Sequence, residues 1–265
     1  MRRFSADYLA DTRAGMWADD RSALAPLALP DRERVLDVGA GAGAFTRVLR
    51  EESSGEVVAV DADRSLLSRV APPTALGDAT RLPVRDGAAD LVACQALLVN
   101  LPDPAGAVSE FARVSCDLVA AVEPDNGAVS VASSVGAEEP LARRAREAYV
   151  AGVETDVTLG GDVAGLFADA GLDVVGREVY HHARVVEPPY DDAALEGARR
   201  KATAERIRDA RATLEAGGMT SADVDALAAD WRAMGETAIE QMQDGAYRRA
   251  EVVPFHVTVG RVPDA

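Results

Sequence analysis

Short apolar runs alternate with amphipathic stretches through the first half of the chain, with turn residues between them. RVLDVG (34–39), EVVAVDA (56–62), PTALGDA (73–79), AADLVACQ (88–95) and DLVAAVEP (117–124) read as strands. AFTRVLREE (44–52), RSLLSRV (64–70) and the segment 103–115 read as helices, the last opened by Pro104 in its first turn. Asp86-Gly87 marks a turn. Strands and helices that alternate with short connections predict a parallel, doubly wound α/β sheet. Right-handed crossovers then bring the loops after the strands to one edge, where a ligand crevice is expected.

After Pro124 the pattern changes. Residues 138–154 predict an amphipathic helix, and 162–170 a short one stopped at Gly171. LDVVGREVYHHARVV (172–186) is a sixth strand, with Gly176 a candidate bulge. Residues 191–216 and 221–244 predict two helices joined at Gly217-Gly218, and AEVVPFHVTVGRV (250–262) a seventh strand. Ahead of the first strand, Phe4, Tyr8, Leu9, Met16 and Trp17 fall near helical spacing, so 5–29 is expected to be helical until Pro26 and Pro30. The organisation expected is a single domain over 1–265. It has an N-terminal helical lid (1–30), a core (31–190 and 250–265) and a helical cap (191–249) inserted between strands six and seven.

Composition narrows the class. With 265 residues the chain can bury a substantial core. No apolar run approaches the ~18 residues that span a membrane. The N-terminal MRRFSADYLADTRAGMW has no apolar stretch of the signal-peptide kind. Cys94 and Cys116 do not make a disulfide framework, so a cytoplasmic, reduced protein is expected. The net charge of −16 is spread along the whole chain, and Lys201 is the only lysine. Abundant Asp, Glu and Ala with few aromatics resemble a salt-adapted, haloarchaeal-like composition. The charge argues against nucleic acid as a partner, because phosphate binding needs a basic face. Salt adaptation weakens that argument.

Candidate chemistry begins at VLDVGAGAGAF (35–45). Gly39, Gly41 and Ala44 fit GxGxxA, the dinucleotide fingerprint. Asp37 with Gly39, Gly41 and Gly43 also fits DxGxGxG, a loop for S-adenosylmethionine. A carboxylate at Asp37 would repel a pyrophosphate and suit a cationic ligand. Asp61, ending the second strand, is placed to accept from ribose hydroxyls under either template. Asp78 can accept from an adenine amine while Ala79 donates from its backbone, a feature without a regular dinucleotide counterpart. The residues before the first strand permit a lid.

The run VLDVGAGAGAFT…VVAVDAD…ALGDATRLPVRDGAADLVACQALLVNLPDP…LVAAVEPDNG resembles the class I S-adenosylmethionine-dependent methyltransferases over roughly residues 33 to 126. The resemblance implies a Rossmann-like seven-stranded sheet whose last strand is antiparallel, with S-adenosylmethionine as cofactor. It implies that Asp37, Gly39, Gly41 and Gly43 meet the methionine end, Asp61 the ribose and Ala62 the adenine. It further implies Asp78 and Ala79 on the adenine, Gln95 on the methionine portion or methyl group, and Leu97 near the ribose or adenine. Many small-molecule members carry a His before the hydrophobic-Pro-Asp of this segment; here Asn100 takes that slot.

Methyl transfer needs alignment and dryness before it needs a base, so no catalytic residue is forced. His181, Glu123 and Tyr149 are weak candidates, beside the plainer readings of a strand histidine for the first and a cap or turn role for the second. His181 and His182 face opposite sides of their strand, and His256 is a poorer candidate. Tyr8 and Arg13 are candidates to close over the cofactor, Arg13 on its carboxylate. Arg143 and Arg146 beside Tyr149 read as a solvated face or as pocket lining for an acidic substrate. Trp17, Met219, Trp231, Met234 and Met242 read as packing. No metal-ligand spacing occurs. The reading is an enzyme acting on a small-molecule acceptor. The alternatives are an RNA or protein methyltransferase, a non-catalytic binder of S-adenosylmethionine or S-adenosylhomocysteine, and a nicotinamide oxidoreductase.

Overall fold

The computed structural model describes Leu9 and residues 12–263. Every residue of β1 (Arg34–Val38) after its first is buried, as expected of a central parallel strand covered on both faces. It pairs in parallel with β2 (Glu56–Asp61) on one side and β4 (Ala89–Gln95) on the other. β3 (Thr74–Leu76) extends the sheet beyond β2, and β5 (Ser115–Pro124) beyond β4. β8 (Arg249–Arg261) adds antiparallel to β5, with Glu123 opposite His256, and β7 (Asp173–Val186) pairs with β8. The seven expected strands are present in this Rossmann-like order, with the last antiparallel. An eighth, β6 (Ser130–Ser133), pairs with residues 249–252 of β8. Its four residues carry too little pattern to be read from sequence.

By contact density the chain forms two compact units. One comprises 1–125, 159–180 and 255–265; the other comprises 126–158 and 181–254. In the first, α1 (Ala44–Glu52), α2 (Arg64–Leu67) and α3 (Pro104–Val114) are the crossovers. Pro104 opens α3 as expected, and the Asp103 carboxylate caps it by accepting from Gly106 N–H (2.9 Å). α5 (Val163–Asp169) buries Val163 and Phe167. Gly176 lies in continuous β7 and answers to packing, since a Cβ there would stand 2.6 Å from Pro26.

Three helix expectations are not met in full. Among the described residues no long helix fills the N-terminal segment. Gly15 (φ 72) and Trp17 (φ 65) take left-handed backbone, and 3-10 turns follow at Ser22–Leu27 and Leu29–Asp31. The expected helix over 191–216 is three, α6 (Asp192–Ala202), α7 (Glu205–Asp209) and α8 (Arg211–Ala216), broken at Ala204 with φ 49. Close packing lies beside the break. α9 (Ser221–Gln243) approaches so closely at Gly235 that a Cβ there would sit 2.3 Å from Ala202 N. The expected RSLLSRV helix shrinks to α2.

The second unit places the helices of 191–249 with α4 (Glu138–Gly152) and β6. Its apolar contacts gather Met234, Met242 and Tyr247 in one cluster, and Ile207, Leu214 and Leu227 in another. A charged network lies beside them. Glu138 is buried and receives Lys201 Nζ at 2.6 Å, Arg249 Nε at 2.8 Å and the hydroxyls of Ser133 and Tyr247. Burial opposes ionisation of Glu138, but Lys201, Ser133 and Arg249 outweigh it and hold its carboxyl below the usual range. Arg249 continues to Glu251, and Glu251 to Arg184. Among the described residues no helix is long and apolar enough to cross a membrane.

Removing one partner from such a cluster leaves buried charge without its counter-ion. Lys201→Met is expected to lower stability by about 3 kcal/mol in urea unfolding. Unchanged stability would mean that Arg249 alone balances Glu138.

Candidate functional site

The glycine loop is shaped by the ends of β1 and β2. Gly39 N–H and Ala40 N–H both donate to Val60 O, at 2.8 and 3.0 Å. The chain can then turn into α1 only through left-handed backbone, taken by Gly39 (φ 73), Gly41 (φ 55) and Gly43 (φ 85). Three glycines in this register meet a conformational demand that other residues resist. α1 starts directly after Gly43 with no side-chain cap, so its first N–H groups are left for water or a ligand.

Asp61 closes the loop from the next strand. Its Oδ2 accepts from Gly41 N–H and its Oδ1 from Asp63 N–H, both at 2.7 Å. Each oxygen keeps a second lone pair for a ligand hydroxyl. Ala62 beside it is exposed. At the end of β3, Asp78 is exposed and its Oδ1 accepts from the hydroxyl and N–H of Thr80. Those bonds hold its carboxyl below the usual range. Ala79 is buried.

Asp37 lies beneath the loop at 1% exposure. Thr46 donates its hydroxyl to Asp37 Oδ2 at 2.6 Å. Burial pushes the Asp37 carboxyl up to about 7; the Thr46 bond opposes the rise and the nearby charge of Asp61 adds to it. The sequence reading anticipated a carboxylate aimed at a cation, but not that it would be this dry.

The turn after β4 supplies a further wall. Ala96 takes φ 49, and the following backbone winds into a 3-10 turn, Leu98–Asn100. Leu97 packs on the glycine loop so tightly that a Cβ on Gly39 would lie 2.7 Å from its Cδ1. Glu123, a candidate catalytic residue from sequence, is fully buried and holds this turn. Its Oε1 accepts from Leu97 N–H and Leu98 N–H at 2.9 Å, and its Oε2 from Val99 N–H at 3.3 Å. Burial raises its carboxyl to about 6 against the pull of these donors. Its oxygens are taken up by the protein's own backbone, as the turn role weighed for Glu123 beside a catalytic one requires. Asn100, in the slot of the missing histidine, donates its amide to Ala96 O at 2.8 Å.

Gln95 is met by a residue that the sequence reading set aside as packing. The Trp17 indole N–H donates to Gln95 Oε1 at 2.8 Å. Trp17 stacks on Tyr180 at 4.1 Å between centroids, and Trp17 N–H donates to the Tyr180 hydroxyl at 3.2 Å. Arg21 bonds Trp17 O and pairs with Glu51 and Glu52, fastening this segment to α1. Leu9 reaches the glycine loop, where a Cβ on Gly41 would stand 3.0 Å from its Cδ1. A tryptophan in an otherwise polar segment was the sequence signal for this wall.

The remaining candidates are dispersed. Arg13 lies over the Phe255 ring at 5.5 Å, and Tyr8 lies outside the described residues. His181 is exposed and His182 buried on β7, and His256 is half-buried. Tyr149 packs in the Leu214 cluster. Arg143 pairs with Glu139 on an exposed face. Cys94 is buried and Cys116 exposed. Among the described residues no group of three or more His, Cys, Asp or Glu is placed to hold a metal.

Residues 36–118, from β1 into β5, match the family model described as a methyltransferase domain. Over these residues the chain carries a methyltransferase domain. Two solved structures share the fold. A methyltransferase-like protein of Bacillus halodurans, whose function its own description leaves unproven, is 18% identical with a TM-score of 0.50, over 92% of this chain and 100% of that one. The YcgJ protein of Bacillus subtilis is 14% identical with a TM-score of 0.50, over 92% and 99%. A search of the curated proteins gives no match.

The state of Asp37 in this methyltransferase domain makes a pH prediction. In the fold it keeps its proton up to about pH 7, whereas an exposed aspartate loses it near pH 4. The stability of the protonated form is full below about pH 4 and is lost as pH rises through 7. Between pH 5 and 8, the wild type should lose about 2 to 3 kcal/mol more than Asp37→Asn in urea unfolding. Equal losses in the two proteins would assign the titration elsewhere.

Proposed function

We propose that the chain transfers the methyl group of S-adenosylmethionine to a small-molecule acceptor by in-line displacement. The observation that carries the cofactor's placement is the dry carboxylate of Asp37 directly behind a glycine loop. A buried acid that titrates near neutrality ionises when a cation arrives beside it and is held in that state, a gain that a pyrophosphate would not provide. S-adenosylmethionine, when bound, supplies a methyl group already activated on a sulfonium and a cationic amine.

The donor set around the loop fits that molecule. Gly39, Gly41 and Gly43 let the backbone come close, and the start of α1 offers N–H groups to the methionine carboxylate. Asp61 would accept from the ribose hydroxyls with its remaining lone pairs, and Ala62 would lie against the adenine. Asp78 would take the adenine amine and Ala79 N–H a ring nitrogen. Gln95, with its carbonyl held by Trp17, would present its amide N–H groups towards the methionine portion, and Leu97 would pack on the sugar side. Trp17, Tyr180 and Leu97 exclude water, and dryness strengthens each charge contact. Arg13 remains a candidate for the methionine carboxylate. No dedicated base is assigned, since one is needed only when the acceptor must lose a proton. His181 and Tyr149 stand as substrate-side candidates.

Calorimetric titration with S-adenosylmethionine and with NADH tests the cofactor. Binding of the first and not the second is expected, and the reverse would falsify the reading. Asp61→Ala should weaken binding at least tenfold, because the ribose contacts and the Gly41 anchor go together. Incubation with methyl-labelled cofactor and a cell extract tests the acceptor. Label in the low-mass fraction is expected. Label in RNA or protein would replace the small-molecule acceptor, and no transfer would leave a binding protein.

A further inference from the structure

Three consecutive backbone N–H groups, those of residues 97–99, converge on one side chain from a different strand. Such a concave run of N–H groups is an anion site, and here the anion is the chain's own Glu123. A water molecule or a local Asn or Ser would satisfy a turn at far lower desolvation cost than a fully buried carboxylate. The turn it holds carries two contacts of the cofactor site. Leu97 presses on Gly39, and Gln95, at the head of the same turn, meets Trp17.

We propose that Glu123 is a positioning residue for cofactor binding, anchoring the turn after β4 so that Leu97 stays against Gly39 and Gln95 stays bonded to Trp17. The proposal rests on the glycine loop being the S-adenosylmethionine site. Glu123 touches no ligand itself, being closed in by the turn and by the Cys94 thiol 3.5 Å from Oε1. On its other side β5 carries it opposite His256 of β8, and the segment at Gly160 packs on its carbonyl, where a Cβ would stand 2.5 Å away. Glu123→Gln keeps the shape but turns one acceptor oxygen into an N–H donor facing other donors. The turn must then rearrange, and Leu97 and Gln95 move with it.

The test compares full-length wild type, Glu123→Gln and Leu97→Ala, each in a Trp231→Phe background so that Trp17 is the only fluorophore of its kind. Glu123→Gln should raise the dissociation constant for S-adenosylmethionine about tenfold or more and shift Trp17 emission. Amide exchange should speed up at residues 97–99 while β1 and β2 keep their protection. Leu97→Ala retains the anchor, so it should weaken the cofactor without changing exchange at 97–99, and it serves if the glutamine variant does not fold. Unchanged affinity and emission in Glu123→Gln, or unchanged affinity in Leu97→Ala, would overturn the proposal. So would exchange that rises equally across the sheet. Wild type that fails to bind the cofactor would sink the functional reading instead, while emission and exchange would still report on the anchor.

Discussion

Where parallel strands end, their backbone N–H groups run out of partners, and this constraint organises the whole site. The loops after β1 and β4 leave a cluster of donors at one edge of the sheet. The protein answers with carboxylates from neighbouring strands: Asp61 of β2 takes Gly41 N–H, and Glu123 of β5 takes three donors at residues 97–99. What remains is the start of α1 with no side-chain cap and Asp37 buried behind it. That pairing of a helix start lacking a side-chain cap with a dry acid suits a ligand carrying both a carboxylate and a cationic group.

The carboxylates differ in what they do because they differ in solvation. Asp78 is exposed and easily ionised beside Thr80. Asp37 and Glu123 are buried, and burial lifts both. Glu123 is compensated by backbone donors and so is suited to holding a turn. Asp37 has the hydroxyl of Thr46 and a nearby negative charge at Asp61, and so gains most from an arriving cation. In the second unit Glu138 solves the same problem with Lys201 and Arg249, so its cluster acts as scaffold.

The sheet was largely legible in the sequence. Seven strands and a doubly wound sheet follow from short apolar runs alternating with amphipathic helices, a pattern set by local chain geometry, while the antiparallel last strand rests on the family resemblance. The glycine loop with Asp37, Asp61 and Asp78 was legible because each sits at the end of a strand, where the crossover rule gathers the loops. The broken helices were not legible. Ala204 and Trp17 carry no local signal for left-handed backbone, and both lie beside close tertiary contacts, of Gly235 with Ala202 and of the Trp17 ring with Tyr180.

By itself, then, the sequence determined the fold class, the number of core strands and which end of the sheet bears the loops of interest, because these depend on periodicity and chirality that act along the chain. Only the tertiary structure decided which carboxylates are dry, which are spoken for and which residues wall the site. Those properties arise between residues far apart in sequence, as in Trp17 with Gln95 and Glu123 with residues 97–99. Asp37 and Glu123 are both buried, and what sets them apart is the three backbone donors that tie Glu123 to the turn after β4, against the single hydroxyl on Asp37.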